Sequence, residues 1–120
     1  MSLIPRFTSF ADHDLEVILA HSYAEFGLEA MNRYELLINA AIHFIANNPA
    51  GIGSTARIEV GDDTYFFHLS TARMMVPPNC RVGRSRHYIV YRIDGDVLII
   101  GRILHDATDP KYYLVNDVWK

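Results

Sequence analysis

The chain has 120 residues, of which 50% are hydrophobic and 21% are charged, and Cys80 is its single cysteine. These values fit one globular domain over residues 1–120 and exclude an intrinsically disordered chain. An internal disulfide is also excluded, because it needs two cysteines. No apolar run approaches the ~20 residues that cross a bilayer, and the first residues lack the apolar core of a signal peptide. We therefore expect a cytoplasmic protein without a membrane segment.

The net charge of −3 is unevenly distributed. Residues 1–72 hold three arginines against nine acidic residues, whereas residues 73–105 hold six arginines against two aspartates. This asymmetry predicts either an anionic partner for the arginine-rich half or ion pairing between the two halves. The arginines that are candidates for partner binding are Arg73, Arg81, Arg84, Arg86, Arg92 and Arg102.

The first half of the chain predicts a strand followed by two helices. Leu3–Thr8 is strand-like, and Ser9 follows as the expected N-cap of a helix. Apolar residues then recur at helical spacing as far as Phe26, and Gly27 ends this helix. The second helix starts at once and stops at Asn47-Asn48-Pro49. Two helices joined at one glycine predict an antiparallel helical hairpin that covers one face of a sheet.

The second half predicts strands. Thr55–Val60 and Thr64–Leu69 form a candidate hairpin, and Ser70–Gly83 is expected to be an exposed loop. His87–Ile93 and Val97–His105 form a central hairpin around an Asp-Gly-Asp turn. The tail that follows is predicted either to add an edge strand or to fold back. The fold class is α+β, with an N-terminal antiparallel helical hairpin packed on one face of a small antiparallel β-sheet.

The central hairpin is apolar on both faces. A two-residue turn at Gly95-Asp96 places Tyr91 opposite Ile100. Strict alternation then puts Leu104 on the face of Ile100, and Ile103 on the other face. A sheet of this kind needs cover on both sides. Because the helical hairpin covers only one face, we expect the second face to remain short of cover.

No catalytic motif identifies an enzyme. The sequence has no phosphate-binding loop, no GxSxG, no HExxH and no CxxC pair. Cys80 lies beside Arg81 but has no evident base partner. The six histidines lack the spacing of metal ligands, so we expect no metal and no cofactor. His68, His87 and His105 lie on predicted strands and are candidates to converge.

One group of strand and loop residues has the chemistry to bind phosphate. Its arginines could bind RNA and assist its cleavage, or could hold an acidic peptide through bidentate pairs. The members are Arg73, Arg86, Arg92, Arg102, Tyr88, Tyr91 and His105. In the simpler interpretation, Tyr91 and Arg102 belong to the core of the sheet and its edge.

Short motifs in a fixed order cover most of the chain. In the first half they are Ala11, Asp14-Leu15-Glu16, Ile18, Tyr23, Phe26-Gly27, Ala30, Tyr34, Leu37 and Asn48-Pro49. In the second half they are Arg86-His87, Tyr91-Arg92, Arg102-Ile103-Leu104-His105-Asp106 and Asp109. With this order and spacing, the chain resembles the RelE/ParE superfamily of bacterial type II toxins, and the ParE branch in particular.

The resemblance implies a small toxin that a cognate antitoxin neutralises by covering its helices or its sheet. RelE-like members cleave mRNA on the ribosome with a cluster of lysine and arginine, whereas ParE-like members lack that cluster and inhibit DNA gyrase. The chain is net acidic and has no lysine before Lys111, which favours the ParE branch because RNA binding benefits from a basic surface. We therefore expect a toxin that acts by binding gyrase and is not an enzyme.

Two alternatives remain open. A RelE-like ribosome-dependent mRNA endonuclease would use Arg86, Tyr88, Arg92, Arg102 and His105. A non-toxic member of the fold would only bind a partner. We expect no sequence-specific DNA binding by this chain. The uncovered sheet face predicts association, either as a homo-oligomer or as a toxin–antitoxin hetero-oligomer.

Overall fold

The computed structural model describes residues 2–114 and 116–119. Two α-helices and five strands are the main elements of these described residues. In chain order they are β1 (Ile4–Phe7), α1 (Ser9–Phe26), α2 (Leu28–Asn47), β2 (Ser54–Ala56), β3 (Tyr65–His68), β4 (His87–Asp94) and β5 (Val97–His105). The strands form one sheet in the order β1-β5-β4-β3-β2.

The sheet is mixed. β2, β3, β4 and β5 pair antiparallel, and β1 runs parallel to β5 at one edge. A parallel neighbour needs a long connection, and here everything from α1 to β4 lies between the two paired strands. The helical hairpin of α1 and α2 packs on one face. The predicted α+β fold is therefore confirmed, with a parallel edge strand that the sequence pattern did not indicate.

The helical hairpin is fixed at its start and at its corner. Thr8 is the N-cap of α1, because its Oγ1 accepts a hydrogen bond from the Ala11 amide at 3.1 Å. The same hydroxyl donates to the Gly101 carbonyl at 2.7 Å, which ties the start of α1 to β5. The prediction of Ser9 as the cap is thus wrong by one residue. Gly27 joins the helices with φ of 92°, a conformation that favours glycine.

The main core lies between α2 and the sheet. α2 turns one apolar stripe toward the strands, because its apolar residues recur at helical spacing. The largest fully buried side chains of this layer are Leu37, Ile38, Ile45, Phe67, Leu69, Ile89, Tyr91, Leu98 and Ile100. Fully burying one such side chain contributes roughly 1.5–3 kcal/mol.

The predicted hairpin of β2 and β3 is present but shorter than expected. The first predicted strand, Thr55–Val60, ends at residue 56, and Ile58–Val60 forms a 3₁₀ turn. Ile58 in this turn is 74% exposed. Because its side chain has no apolar surface to pack against, the segment does not continue the strand.

The predicted exposed loop Ser70–Gly83 is partly folded. A 3₁₀ helix covers Leu69–Met75 and packs on α2. Leu69 and Ala72 are completely buried, and Val76 nearly so. The apolar residues of this segment therefore extend the core, and only the remainder is exposed as predicted.

The central hairpin has the predicted turn, and Tyr91 pairs with Ile100 as expected. A register shift beyond this pair leaves Gly101 as a β-bulge. As a result Ile103 packs in the core on the helix side, and Leu104 packs on the other face. The predicted alternation is therefore wrong after Gly101, because one extra residue in a strand inverts every later side chain.

The second face of the sheet is covered by the end of the chain. We call residues 111–114 and 116–119 the C-terminal strap. Leu114 and Trp119 of the strap pack on an apolar cluster made of Phe66, Tyr88, Val90 and Leu104. The expectation that this face would lack cover is wrong. Of the two predicted conformations of the tail, the chain adopts the one that folds back.

Candidate functional site

A groove lies between the helical hairpin and the segment that leads into β4. Its volume is about 750 Å³, within the range of protein ligand sites. Its apolar wall consists of Val17, Ile18, Phe26, Ala30 and Val82. Val17 and Phe26 are 53% and 73% exposed, so apolar surface here is open to a partner.

The groove is strongly cationic. Among the lining residues in the described part of the chain there is no aspartate or glutamate. Its arginines are Arg33, Arg81, Arg84 and Arg86, and three histidines, His21, His87 and His105, also line it. Such a concentration in a chain of net charge −3 favours an anionic partner. An apolar wall beside cationic side chains suits an acidic, amphipathic protein segment.

Two of the six predicted partner-binding arginines brace the loop that forms one wall. Arg73 donates from Nε to the Val82 carbonyl at 3.0 Å, and Arg81 donates from Nε to the Val76 carbonyl at 3.2 Å. Both bonds connect residues of the same loop. Arg81 also lines the groove, whereas Arg73 does not.

Two more of these arginines are engaged away from the groove. Arg92 donates from Nε to Thr64 Oγ1 at 3.1 Å, and its guanidinium lies 4.2 Å from the ring centroid of Trp119. Arg102 forms a bidentate pair with Asp14, with bonds of 2.7 and 2.8 Å. Both guanidinium groups therefore serve the fold in this structure.

The last two, Arg84 and Arg86, are exposed and line the groove. Within the described residues neither side chain forms an ion pair. The backbone of Arg86 is nevertheless fixed, because its amide donates to the Tyr34 hydroxyl and its carbonyl accepts from the Asp106 amide at 2.7 Å. Arg86 thus combines a fixed backbone with a guanidinium group that forms no ion pair within the described residues.

The three histidines predicted to converge lie in one polar chain. His68 Nε2 is 3.1 Å from one oxygen of Asp106, and His105 Nδ1 is 3.6 Å from the other. The rings of His105 and His87 meet edge to face at 5.3 Å. His87 Nδ1 lies 2.6 Å from the Tyr34 hydroxyl, at the end of the groove. The expected convergence is confirmed, and it links β3 to α2.

Burial determines the protonation states of His87 and Tyr34. It lowers the pKa of His87 from 6.5 to about 4, with a further contribution from the nearby His105 charge. Burial also raises the pKa of Tyr34. At neutral pH we therefore assign Tyr34 O–H as the donor and His87 Nδ1 as the acceptor.

The low pKa of His87 predicts a loss of stability between pH 6.5 and pH 4. In this window the unfolded chain binds a proton that the folded chain does not, so acid favours unfolding, and the stability is fully present above pH 6.5. We expect a loss on the order of 1–2 kcal/mol, less than the full shift implies because the ring is partly exposed. Urea unfolding at pH 7 and pH 4.5 measures it.

The matched variants are His87→Gln and His43→Gln. The glutamine of the first variant keeps a polar side chain near Tyr34 but does not titrate, so this variant should lose less stability in acid than the wild type. His43 is exposed on α2, and its replacement should leave the acid response unchanged. Equal acid responses of the wild type and His87→Gln would contradict the assignment.

The residues proposed for a nuclease do not form one site. Arg86 and His105 line the groove. Tyr88 is only 7% exposed and stacks on Phe66 at 4.7 Å on the second face of the sheet. Arg92 and Arg102 are held by the contacts given above. Within residues 2–114 and 116–119 no group of histidine, cysteine or acidic side chains could hold a metal ion.

Comparison with known proteins shows the family of the chain. Residues 6–110 match the family model described as ParE toxin of type II toxin-antitoxin system, parDE. The chain belongs to the ParE toxin family. No curated protein matches it. Among the described residues, no helix is long and apolar enough to span a membrane.

Membership of the ParE family confirms the predicted superfamily and branch, and makes the chain a toxin of a type II toxin–antitoxin system. The whole groove lies within the matched residues, whereas the strap lies beyond them. Tyr34 was not among the predicted site residues, because its place on α2 matches the spacing of a buried helix face. The available signal was its hydroxyl, which a buried tyrosine usually pairs.

Proposed function

We propose that this ParE-family toxin inhibits DNA gyrase by binding it, and that a cognate antitoxin neutralises the toxin by occupying the groove. The gyrase target is the one that the ParE branch implied at the level of sequence. The proposal describes a protein that acts by binding and performs no covalent chemistry on its target.

The observation that carries the proposal is the engagement of Arg92 and Arg102. An mRNA nuclease of this fold would need its sheet cations free to bind phosphate. Here Arg102 is bound by Asp14, with side-chain exposures of 14% and 11%, and Arg92 is stacked on Trp119. Tyr88, which the nuclease alternative would also use, is buried on the second face of the sheet, whereas Arg86 and His105 line the groove. The five residues of the nuclease alternative are therefore not brought together in one accessible site, which supports a protein that acts by binding.

The groove supports the antitoxin part of the proposal. Arg84 and Arg86 are free to pair with acidic side chains, and Val17 and Phe26 offer exposed apolar surface beside them. A partner segment with apolar residues on one side and acidic residues on the other would satisfy both features. Bound there, it would give a toxin–antitoxin hetero-oligomer.

The test combines cells and purified components. On induction of the chain alone, we expect DNA synthesis, followed by labelled thymidine, to fall before protein synthesis. The purified chain should inhibit supercoiling by gyrase in a concentration-dependent manner. Tyr88→Phe keeps the ring and its stacking while removing the hydroxyl, so gyrase inhibition should persist in this variant.

Three results would contradict the proposal. Early loss of protein synthesis, with ribosome-dependent cuts in mRNA, would establish the RelE-like nuclease instead. Growth without arrest would establish a non-toxic member that only binds a partner. Arrest with unaffected supercoiling would assign a different target.

A further inference from the structure

The C-terminal strap fits the second face of the sheet closely. Trp119 lies directly against Gly101, where an added Cβ would come within 2.5 Å of the indole ring. Glycine inside a strand is unfavourable unless another group approaches the backbone closely. The missing side chain of Gly101 in the bulge of β5 therefore leaves the space that Trp119 at the end of the strap occupies. Val118, next to it, is 1% exposed.

Polar contacts hold the same segment. The Arg92 guanidinium stacks on the Trp119 ring at 4.2 Å, a cation–π contact. Arg102 donates from Nη1 to the Tyr113 carbonyl at 3.2 Å while its other nitrogens bind Asp14. Two arginines that are candidates for partner binding are thus used by the strap.

The strap lies outside the part of the chain that matches the family, which ends at residue 110. The apolar cluster beneath it consists of strand residues inside that match. The cover of this face is therefore supplied by a part of the same chain that lies beyond the family match.

We propose that the C-terminal strap is a resident cover that closes the second sheet face to partners and stays in place when gyrase binds. The contacts of the strap alone support the closed second face. That the strap stays in place when gyrase binds rests on the proposed function. Arg92 and Arg102 are then positioning residues of the strap and do not contact a partner.

The resident cover is tested in the free protein. Trp119 is the only tryptophan, so iodide quenching of fluorescence reports on the strap alone. We expect partial protection in the wild type, where Trp119 is half-buried, and loss of that protection in Gly101→Ala, whose new methyl group would displace the indole. Gly83→Ala is the matched control, because a Cβ there meets nothing within 4 Å. If Gly101→Ala fails to fold, Arg92→Met should show partial loss of protection.

A wild-type Trp119 that iodide quenches as fully as in the urea-unfolded chain would overturn the resident cover. For the bound state, Trp119 is replaced biosynthetically by 5-fluorotryptophan, and purified gyrase is added to saturation. We expect its ¹⁹F resonance to broaden with the size of the complex but to keep its chemical shift. A shift toward the value of the unfolded chain would overturn the proposal, since the strap would then be displaced. If gyrase does not bind, the proposed function fails, and the quenching comparison still decides whether the cover is resident.

Discussion

Replacing Asp14 with alanine is expected to lower the free energy of unfolding by about 3 kcal/mol. The Asp14 carboxylate accepts two hydrogen bonds from the Arg102 guanidinium and a third from the Ile103 amide at 3.0 Å. Both side chains of the pair are largely buried. Alanine would leave the arginine charge without its counter-ion in a poorly hydrated place, and the amide without an acceptor. Urea unfolding at pH 7 measures the loss.

The control for Asp14 is an exposed ion pair in the same molecule. Glu29 and Arg33 are one helical turn apart on α2, at 3.3 Å, with side-chain exposures of 87% and 44%. Glu29→Ala should cost about 0.5 kcal/mol or less, because water screens such pairs. Equal losses in Asp14→Ala and Glu29→Ala would mean that the Asp14 pair does not hold α1 to β5.

Reversing both free charges of the groove, with Arg84→Glu and Arg86→Glu together, is expected to weaken partner binding roughly a hundredfold. Neither side chain has an ion-pair partner in the described residues, so the fold should tolerate the change. An acidic partner segment would meet two repulsive charges in place of two attractive ones. Rescue by the antitoxin should fail in cells, and calorimetry with the purified pair should show the lost affinity.

The matched control changes the net charge equally at a different place. Arg6→Glu with Lys111→Glu also shifts the charge by −4, and both side chains are exposed and outside the groove. Rescue by the antitoxin should be retained in this variant. If both double variants lost rescue alike, total charge and not the groove would govern binding. If neither did, the antitoxin would bind elsewhere.

Much of the fold was predictable because local patterns determine it. The helical spacing of apolar residues predicted α1 and α2, and the glycine between them predicted the corner of the hairpin. The Gly95-Asp96 turn fixed the pairing of Tyr91 with Ile100, as observed. Turn chemistry and side-chain periodicity act over a few residues, so they can be read without knowledge of the rest of the chain.

The errors arose where distant segments meet. The bulge at Gly101 inverted the faces of Ile103 and Leu104, and nothing in β5 alone distinguishes a bulged glycine from an ordinary one. Its explanation lies in Trp119, which approaches that glycine from the far end of the chain. In the same way, the 3₁₀ helix Leu69–Met75 lies, from Ser70 on, in a predicted exposed loop, because its cover comes from α2.

In the candidate site, too, local patterns predicted some features and contacts between distant segments decided the others. The sequence by itself determined that the second half carries an excess of arginine, that the chain resembles ParE toxins, and that three strand histidines could converge. Only the tertiary structure separated the arginines that brace the fold, Arg92 and Arg102 among them, from Arg84 and Arg86, which are free in the groove. The reason is physical: charge and residue type are properties of the sequence, whereas the availability of a charge depends on which acid, carbonyl or ring from elsewhere in the chain comes within reach of it.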